Sequence, residues 1–285
     1  MKAGNRIVGI CLVRNEERFL DLVLTNIVGF CDQILIADNG STDRTPEIAR
    51  RWAVSHPSVN VSSIGHPRES HTMLLPFINT PTWIFAVDGD EIYDPQGLAR
   101  LREPLVDGAY DRYWRIIGNV LNCRDLDMKQ ARARGYLSPP SRSITKLYNF
   151  NAIYDWSDVP GERLHGGIIS FNAGYREDAL LRWHDQVSWD EAVFRCLHLC
   201  FLPRSSKDGR AHDGMVTRWN LAEQQGRGIL TVLAARLLRL LGSTRSSQWK
   251  KERYGRGELV EKDIAAFLPD SCRKSGFDQS PSIPS

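Results

Sequence analysis

Three short apolar runs, each cut off by a polar cluster, restrict this chain to one broad kind of fold. Residues 7–13 run into Arg14-Asn15-Glu16-Glu17, residues 33–37 into Asp38-Asn39-Gly40-Ser41, and residues 83–87 into Asp88-Gly89-Asp90-Glu91. Apolar runs of this length without polar alternation read as strands covered on both faces. Helical spacing lies between them. Residues 16–30 carry apolar side chains at 19, 20, 23, 24, 27 and 28, and Asp43 can cap a second helix that holds Pro46 and Glu47 in its first turn and reaches about Val54. Residues 59–64 supply a further strand, so 83–87 is the fourth. Strands alternating with helices at this density predict a mostly parallel sheet flanked by helices. Ligands of such sheets gather at the carboxyl ends of the strands. All three polar clusters fall there.

The third cluster carries the most chemistry. A strand end is rigid, so Asp88 and Asp90 are held close together, and neighbouring carboxylates repel unless a cation lies between them. A hard divalent ion with coordination positions open to phosphate oxygens answers that need.

Composition narrows the setting. With 285 residues the chain can bury a full core, and 42% hydrophobic and 25% charged residues are the proportions of an ordinary globular protein. A net charge of +3 is too small to argue for a nucleic-acid partner. The cysteines at 11, 31, 123, 196, 200 and 272 show no disulfide spacing, which fits a reducing cytoplasm. No signal peptide is evident, and no apolar run reaches the roughly 18 residues of a membrane span. Residues 196–200 (Cys-Leu-His-Leu-Cys) read as helical, with both thiols on one face and His198 turned away, so zinc is not expected there. No Gly-x-Gly-x-x-Gly follows any strand, which argues against a dehydrogenase.

The order and spacing of Cys11-Leu-Val-Arg-Asn-Glu-Glu17, Ile34-Leu-Ile-Ala-Asp-Asn-Gly-Ser-Thr-Asp43 and Phe85-Ala-Val-Asp-Gly-Asp-Glu91 resemble a family 2 glycosyltransferase in the nucleotide-diphospho-sugar transferase (GT-A) fold. The resemblance covers residues 6–95 well and 140–200 loosely. It implies that Val13, Arg14, Asn15 and Glu16 line the nucleotide pocket and that Asp38 accepts hydrogen bonds from base or ribose. It also implies that Asp90 touches a divalent ion, Mn2+ or Mg2+, while Asp88 acts at the ion or through ribose or water. The donor is then a nucleotide sugar, expected to be UDP-linked. Arg68, after the third strand, is a candidate pyrophosphate contact.

Residues 143–148, 156–162, 181–184 and 188–191 resemble a subgroup of bacterial saccharide-assembling transferases. In that subgroup a Val-His-Glu motif precedes a later histidine. Here Val159-Pro-Gly-Glu162 departs from the motif, with glycine in place of the histidine and a proline inserted. Glu162 is the leading candidate for the base that deprotonates the acceptor, Asp178 is its rival, and His184 is a candidate to complete the metal shell.

The expected division is a nucleotide-sugar-binding catalytic domain over 1–200, a basic helical extension over 201–268, and a disordered Ser/Pro-rich tail over 269–285. Residues 187–262 read as mainly helical. Between 203 and 262 there are 13 Lys and Arg against 6 Asp and Glu, and 228–241 spells an apolar helix with Arg236 and Arg239 one turn apart. Such a segment suits an anionic membrane surface, or packs on the core or on a second subunit. A cytoplasmic enzyme, peripheral on the membrane face, would meet a saccharide or lipid-linked acceptor there. The alternatives are a nucleotidyltransferase of similar sheet topology and a binding or scaffold protein that kept the sheet without turnover.

Overall fold

The computed structural model describes residues 4–159, 164–210, 216–217 and 245–269. The apolar runs form strands β1 (Arg6–Val13), β2 (Gln33–Asp38), β3 (Val59–Ser63) and β4 (Thr82–Asp88), with helices α1 (Leu20–Ile27), α2 (Thr45–Ser55) and the single turn α3 (Glu69–Thr72) between them. β1 pairs in parallel with β2 and β4, and β2 with β3. Alternate side chains of these strands enter two different cores, as the pleat requires. Ile7, Cys11, Val13, Ile34, Ile36, Trp83, Phe85 and Val87 face one core, together with α1 and α2. Val8, Ile10, Leu35, Ala37, Ile84 and Ala86 face the other. Both faces are covered, which explains why these runs carry no polar alternation. Each fully buried aliphatic side chain contributes about 1.5–3 kcal/mol.

Beyond β4 the chain builds a second sheet from the first. β5 (Glu91–Tyr93) begins two residues after β4 ends. It is followed by α4 (Pro95–Val106), β6 (Arg115–Ile117), β7 (Asn119–Asp127), β8 (Arg132–Leu137) and β9 (Lys146–Asn149). A hairpin of β10 (Ile153–Ser157) and β11 (Ile168–Phe171) packs Ile153, Trp156 and Ile169 into the second core. The remaining described elements are β12 (Leu180–Arg182), β13 (Arg195–His198), the short pair β14 (Gly209–Arg210) and β15 (Val216–Thr217), α5 (Arg245–Tyr254) and β16 (Leu259–Asp263). The main sheet has seven strands in the order β12-β6-β9-β4-β1-β2-β3, with β9 alone running against its neighbours. The second has five, β16-β8-β7-β13-β5. The α/β class, with a large, mostly parallel sheet flanked by helices, is the one expected.

Two of the stretches read as helical are strands of the five-stranded sheet. Residues 195–198 form β13, inserted between β5 and β7, and residues 259–263 form β16 on the edge at β8. Both are too short for periodicity to separate strand from helix, and pairing with a waiting edge decides the outcome. After β16 the chain buries Ile264, Phe267 and Leu268 in the main core, with Trp189 and Phe267 stacked at 5.7 Å. Residues 259–268 are therefore part of the body of the molecule. The basic apolar segment 228–241 and the tail from 270 lie outside the described residues. No described helix is long and apolar enough to cross a membrane. The five described cysteines are buried and form no disulfide with one another.

α4 is fixed by a cap. Asp94 accepts the N–H groups of Gln96 and Gly97, both at 3.0 Å, and its second oxygen takes the Arg195 guanidinium at 2.9 Å. Asn26 on α1 does comparable work in the interior, donating to the carbonyls of Tyr93 (2.7 Å) and Phe267 (2.8 Å) and so tying α1 to β5 and to the C-terminal segment. Replacing Asn26 with Ala strands two buried carbonyls. We expect Asn26→Ala to lower stability by roughly 2–5 kcal/mol, read as a shift in the urea unfolding midpoint, and a change below about 0.5 kcal/mol would contradict this role.

Candidate functional site

The loops after β1 and β2 are zipped together at the carboxyl edge of the sheet. Asn15 adopts a left-handed conformation, φ 55°. Its N–H donates to the Ser41 hydroxyl at 2.9 Å, and its side-chain oxygen accepts from the Thr42 N–H at 2.8 Å. Asn39 N–H donates to the Val13 carbonyl at 2.9 Å. Asp38 is buried, and its Oδ1 accepts the Ser41 N–H at 3.1 Å. Asp43, just before α2, accepts from Thr45 N–H (2.9 Å) and from the Ser205 hydroxyl (2.7 Å), while the cap position of the helix is Arg44. Glu17 accepts from the N–H groups of Arg44 (3.1 Å) and Ser206 (2.7 Å). Residues 204–206, far along the chain, thus close over the first two loops.

The two aspartates after β4 take different positions. Asp88 is half-buried at the mouth of a pocket, while Asp90 is only 2% exposed. Arg204 ion-pairs with Asp90, and its guanidinium also reaches Glu16 at 3.3 Å. Burial drives the Glu16 carboxyl well above the usual carboxylate range; Arg204 pulls it down, and Asp90 and Asp88 add to the rise. For Arg204 burial opposes the charge, yet Asp90 and Glu16 hold it, and its pKa ends above the ordinary guanidinium value. Gly89 makes the close packing possible, since a Cβ there would lie 2.5 Å from Cγ of Glu16. Reasoning from the sequence foresaw that paired carboxylates need a cation but did not find Arg204. Nothing local in Leu202-Pro203-Arg204-Ser205 marks it.

His198 is the second residue missed, because the segment was read as a helix that turned it away. On β13, opposite Asn122 of β7, it points at the aspartates. Its Nδ1–H donates to Asn122 Oδ1 at 2.8 Å, which leaves the Nε2 lone pair facing Asp90 Oδ2 at 3.8 Å. Burial pushes its pKa down to about 4, against the pull of Asp90 and with Arg204 adding to the fall. A neutral imidazole with its tautomer fixed by a partner is the form that binds a metal. Among the described residues no three His, Cys, Asp or Glu side chains converge on one ion-sized point. Ions that act on nucleotides commonly take one or two carboxylates and complete their shell with phosphate oxygens. Asp88 and Asp90 are carboxylates of that kind, with Asp90 already paired with Arg204 and His198 3.8 Å from it.

The pocket is small, about 80 Å³, and its polar lining is Asp88, Glu91, Lys146, His165, His198 and Tyr254. Other residues singled out from the sequence lie elsewhere. His184 falls in a turn after β12, the edge strand three places from β4, where it pairs with Asp185 at 3.3 Å; it does not line this pocket. The apolar strand before it ends at the wrong edge. Asp178 is exposed and paired with Arg176 at 3.1 Å, the solvated arrangement usual for a loop carboxylate. Arg68 is exposed just after β3, at the opposite edge of the sheet. Arg14 is half-buried in the loop after β1. Glu162 lies outside the described residues.

Residues 10–155 match the model of Glycosyl transferase family 2, and the chain belongs to that family. No curated protein matches it. Among solved structures it is similar to a mannosyltransferase from Pyrobaculum calidifontis in complex with GDP-Man and Mn2+, at 19% identity and TM-score 0.31, over 44% of this chain and 37% of that one. It is also similar to glucosyl-3-phosphoglycerate synthase from Mycobacterium tuberculosis in complex with phosphoglyceric acid, at 17% identity and TM-score 0.36, over 56% of this chain and 62% of that one. A third is 4-diphosphocytidyl-2C-methyl-D-erythritol synthase from Anaerococcus prevotii, at 12% identity and TM-score 0.32, over 53% and 73%. The match thus spans less than two thirds of the length of the first two structures.

The depressed pKa of His198 is directly measurable. The ring should stay neutral, with its proton on Nδ1, as pH falls from 7 to about 5, and charge only near pH 4. An NMR titration of ring nitrogens, assigned through His198→Gln, reads this, and a midpoint near the ordinary value of about 6.5 would refute the buried, Asn122-bound ring.

Proposed function

We propose that the chain is an inverting glycosyltransferase. It moves a sugar from a nucleotide-diphosphate donor, UDP-linked, to a hydroxyl of a saccharide or lipid-linked saccharide, with Mn2+ or Mg2+ at Asp88, Asp90 and His198. The observation that supports this reading best is the meeting of a neutral, tautomer-fixed His198 with the two aspartates at the carboxyl edge of a mostly parallel sheet. His198 takes the place in the metal shell that the sequence suggested for His184.

In this reading Val13, Arg14 and Asn15 line the nucleotide pocket, and Asp38, one of whose oxygens is held by Ser41, accepts from base or ribose. Glu16 acts through Arg204 rather than by touching the nucleotide. The acceptor oxygen bonds to the anomeric carbon as the bond from that carbon to the diphosphate oxygen breaks. The diphosphate leaves with the electron pair, and the hydroxyl proton passes to a carboxylate base. When bound, the divalent ion neutralises the charge developing on the leaving group. Arg204 pairs with Asp90 and holds its carboxyl group in position, so that the oxygen offered to the ion is already in place. One in-line displacement inverts the anomeric carbon without an enzyme nucleophile.

Two experiments test the reading. Release of UDP from a panel of UDP-sugars should depend on Mn2+ or Mg2+, and Asp90→Asn and Asp88→Asn should each reduce it by about 10²-fold or more while thermal unfolding confirms a folded protein. Metal-independent release, or near-normal rates in both variants, would end the metal assignment. For the base, Glu162→Gln should keep donor affinity while transfer drops about 10²–10⁴-fold. Asp178→Asn, at an exposed ion pair, should leave transfer unchanged, and the reverse pattern would move the base to Asp178.

A further inference from the structure

Lys146 is only 8% exposed, and among the described residues its side chain has no anionic partner within ion-pair distance. Its ammonium donates to Nε2 of His165 at 3.0 Å. A buried lysine side chain that meets only a histidine ring is costly to keep. Such a group survives where it meets an anion that comes and goes. Lys146 lines the pocket at Asp88, so its charge faces a space that a ligand can enter.

Topology says on which side that space lies. β4 has β1 and β2 on one side, with Asp38 at the end of β2, and β9 on the other. Lys146 is the first residue of β9 and stands directly opposite Ala86, two residues before Asp88 and on the same face. Cross-strand neighbours of this kind have Cβ atoms about 5 Å apart, and the diagonal to Asp88 is about 7–8 Å. Lys146 therefore sits across Asp88 from the Asp38 side, where the sugar and acceptor would be if the nucleotide lies over β1 and β2. Ile144 and Leu164 give the same pocket apolar walls. Within it the Glu91 carboxylate accepts the Tyr93 hydroxyl at 3.0 Å.

We propose that Lys146 and His165 form a subsite for an anionic group, a carboxylate or a phosphate, carried by the acceptor close to the hydroxyl that is glycosylated. This rests on the transferase reading above and narrows its acceptor to acidic saccharides or sugar phosphates. The same chemistry could in principle serve the donor diphosphate, and the experiment separates the two.

Calorimetric titration of the full chain uses glucuronate, glucose 6-phosphate, inorganic phosphate and glucose as acceptor-side probes, each with Mn2+ and with or without UDP. Acidic probes should bind at least tenfold more tightly than glucose. Lys146→Met should remove that preference, Lys146→Arg should retain part of it, and UDP affinity should be unchanged in both. Removing an unpaired buried charge should also raise the melting temperature of Lys146→Met by about 2 °C or more, whereas a merely structural lysine would lower it. The proposal is overturned if no acidic probe binds better than glucose, if Lys146→Met weakens UDP instead (a donor contact), or if Lys146→Met melts lower. Should UDP itself fail to bind the unaltered protein, it is the transferase reading that fails, and the acidic-probe arm still decides the anion site.

Discussion

The charge on Asp90 organises the region around it. A carboxyl group with 2% exposure needs a partner, and Arg204 is the cation that meets it. Arg204 stands on a loop whose neighbours Ser205 and Ser206 bind Asp43 and Glu17, and its own carbonyl accepts the N–H of Arg18 at 3.0 Å. Its N–H is held in turn by Asp208 at 2.7 Å. One ion pair therefore draws the chain around residue 204 across the loops after β1 and β2. Glu16, the third carboxylate in the cluster, is left with a raised pKa.

The same point is where the two sheets meet. β4 belongs to the seven-stranded sheet and β5 to the five-stranded one, with Gly89 and Asp90 between them. The second sheet contributes His198 from β13, and its neighbour β7 contributes Asn122, which fixes the imidazole. Neither sheet alone has both the aspartates and the histidine. The C-terminal strand β16 and the buried Phe267 complete this body, so the far end of the chain supports the part that carries His198.

What could be read from the sequence depended on how local its signal was. Strands β1 to β4 are buried on both faces, and an unbroken apolar run expresses that directly. Their polar ends were legible for the same reason, because Asn15, Asp38 and Asp88 each interrupt such a run. β13 and β16 were misread because runs of four and five residues fit either period, and only a partner edge makes them strands. That error hid His198. Helix α4 went unread although Asp94-Pro95 is a sound start signal, with its cap now visible in the bonds to Gln96 and Gly97. Arg204 and Lys146 could not be found locally, since burial of a charge is a property of the assembled fold. His184 and Asp178 were chosen by residue type, and the fold places them away from the aspartates, at a sheet edge and in solvent.

Two joins of one or two residues link the sheets: Gly89-Asp90 between β4 and β5, and Gly118 between β6 and β7. Joins this short leave the ends of β4 and β5 no room to part, so the two sheets can meet only with Gly89 and Asp90 between them.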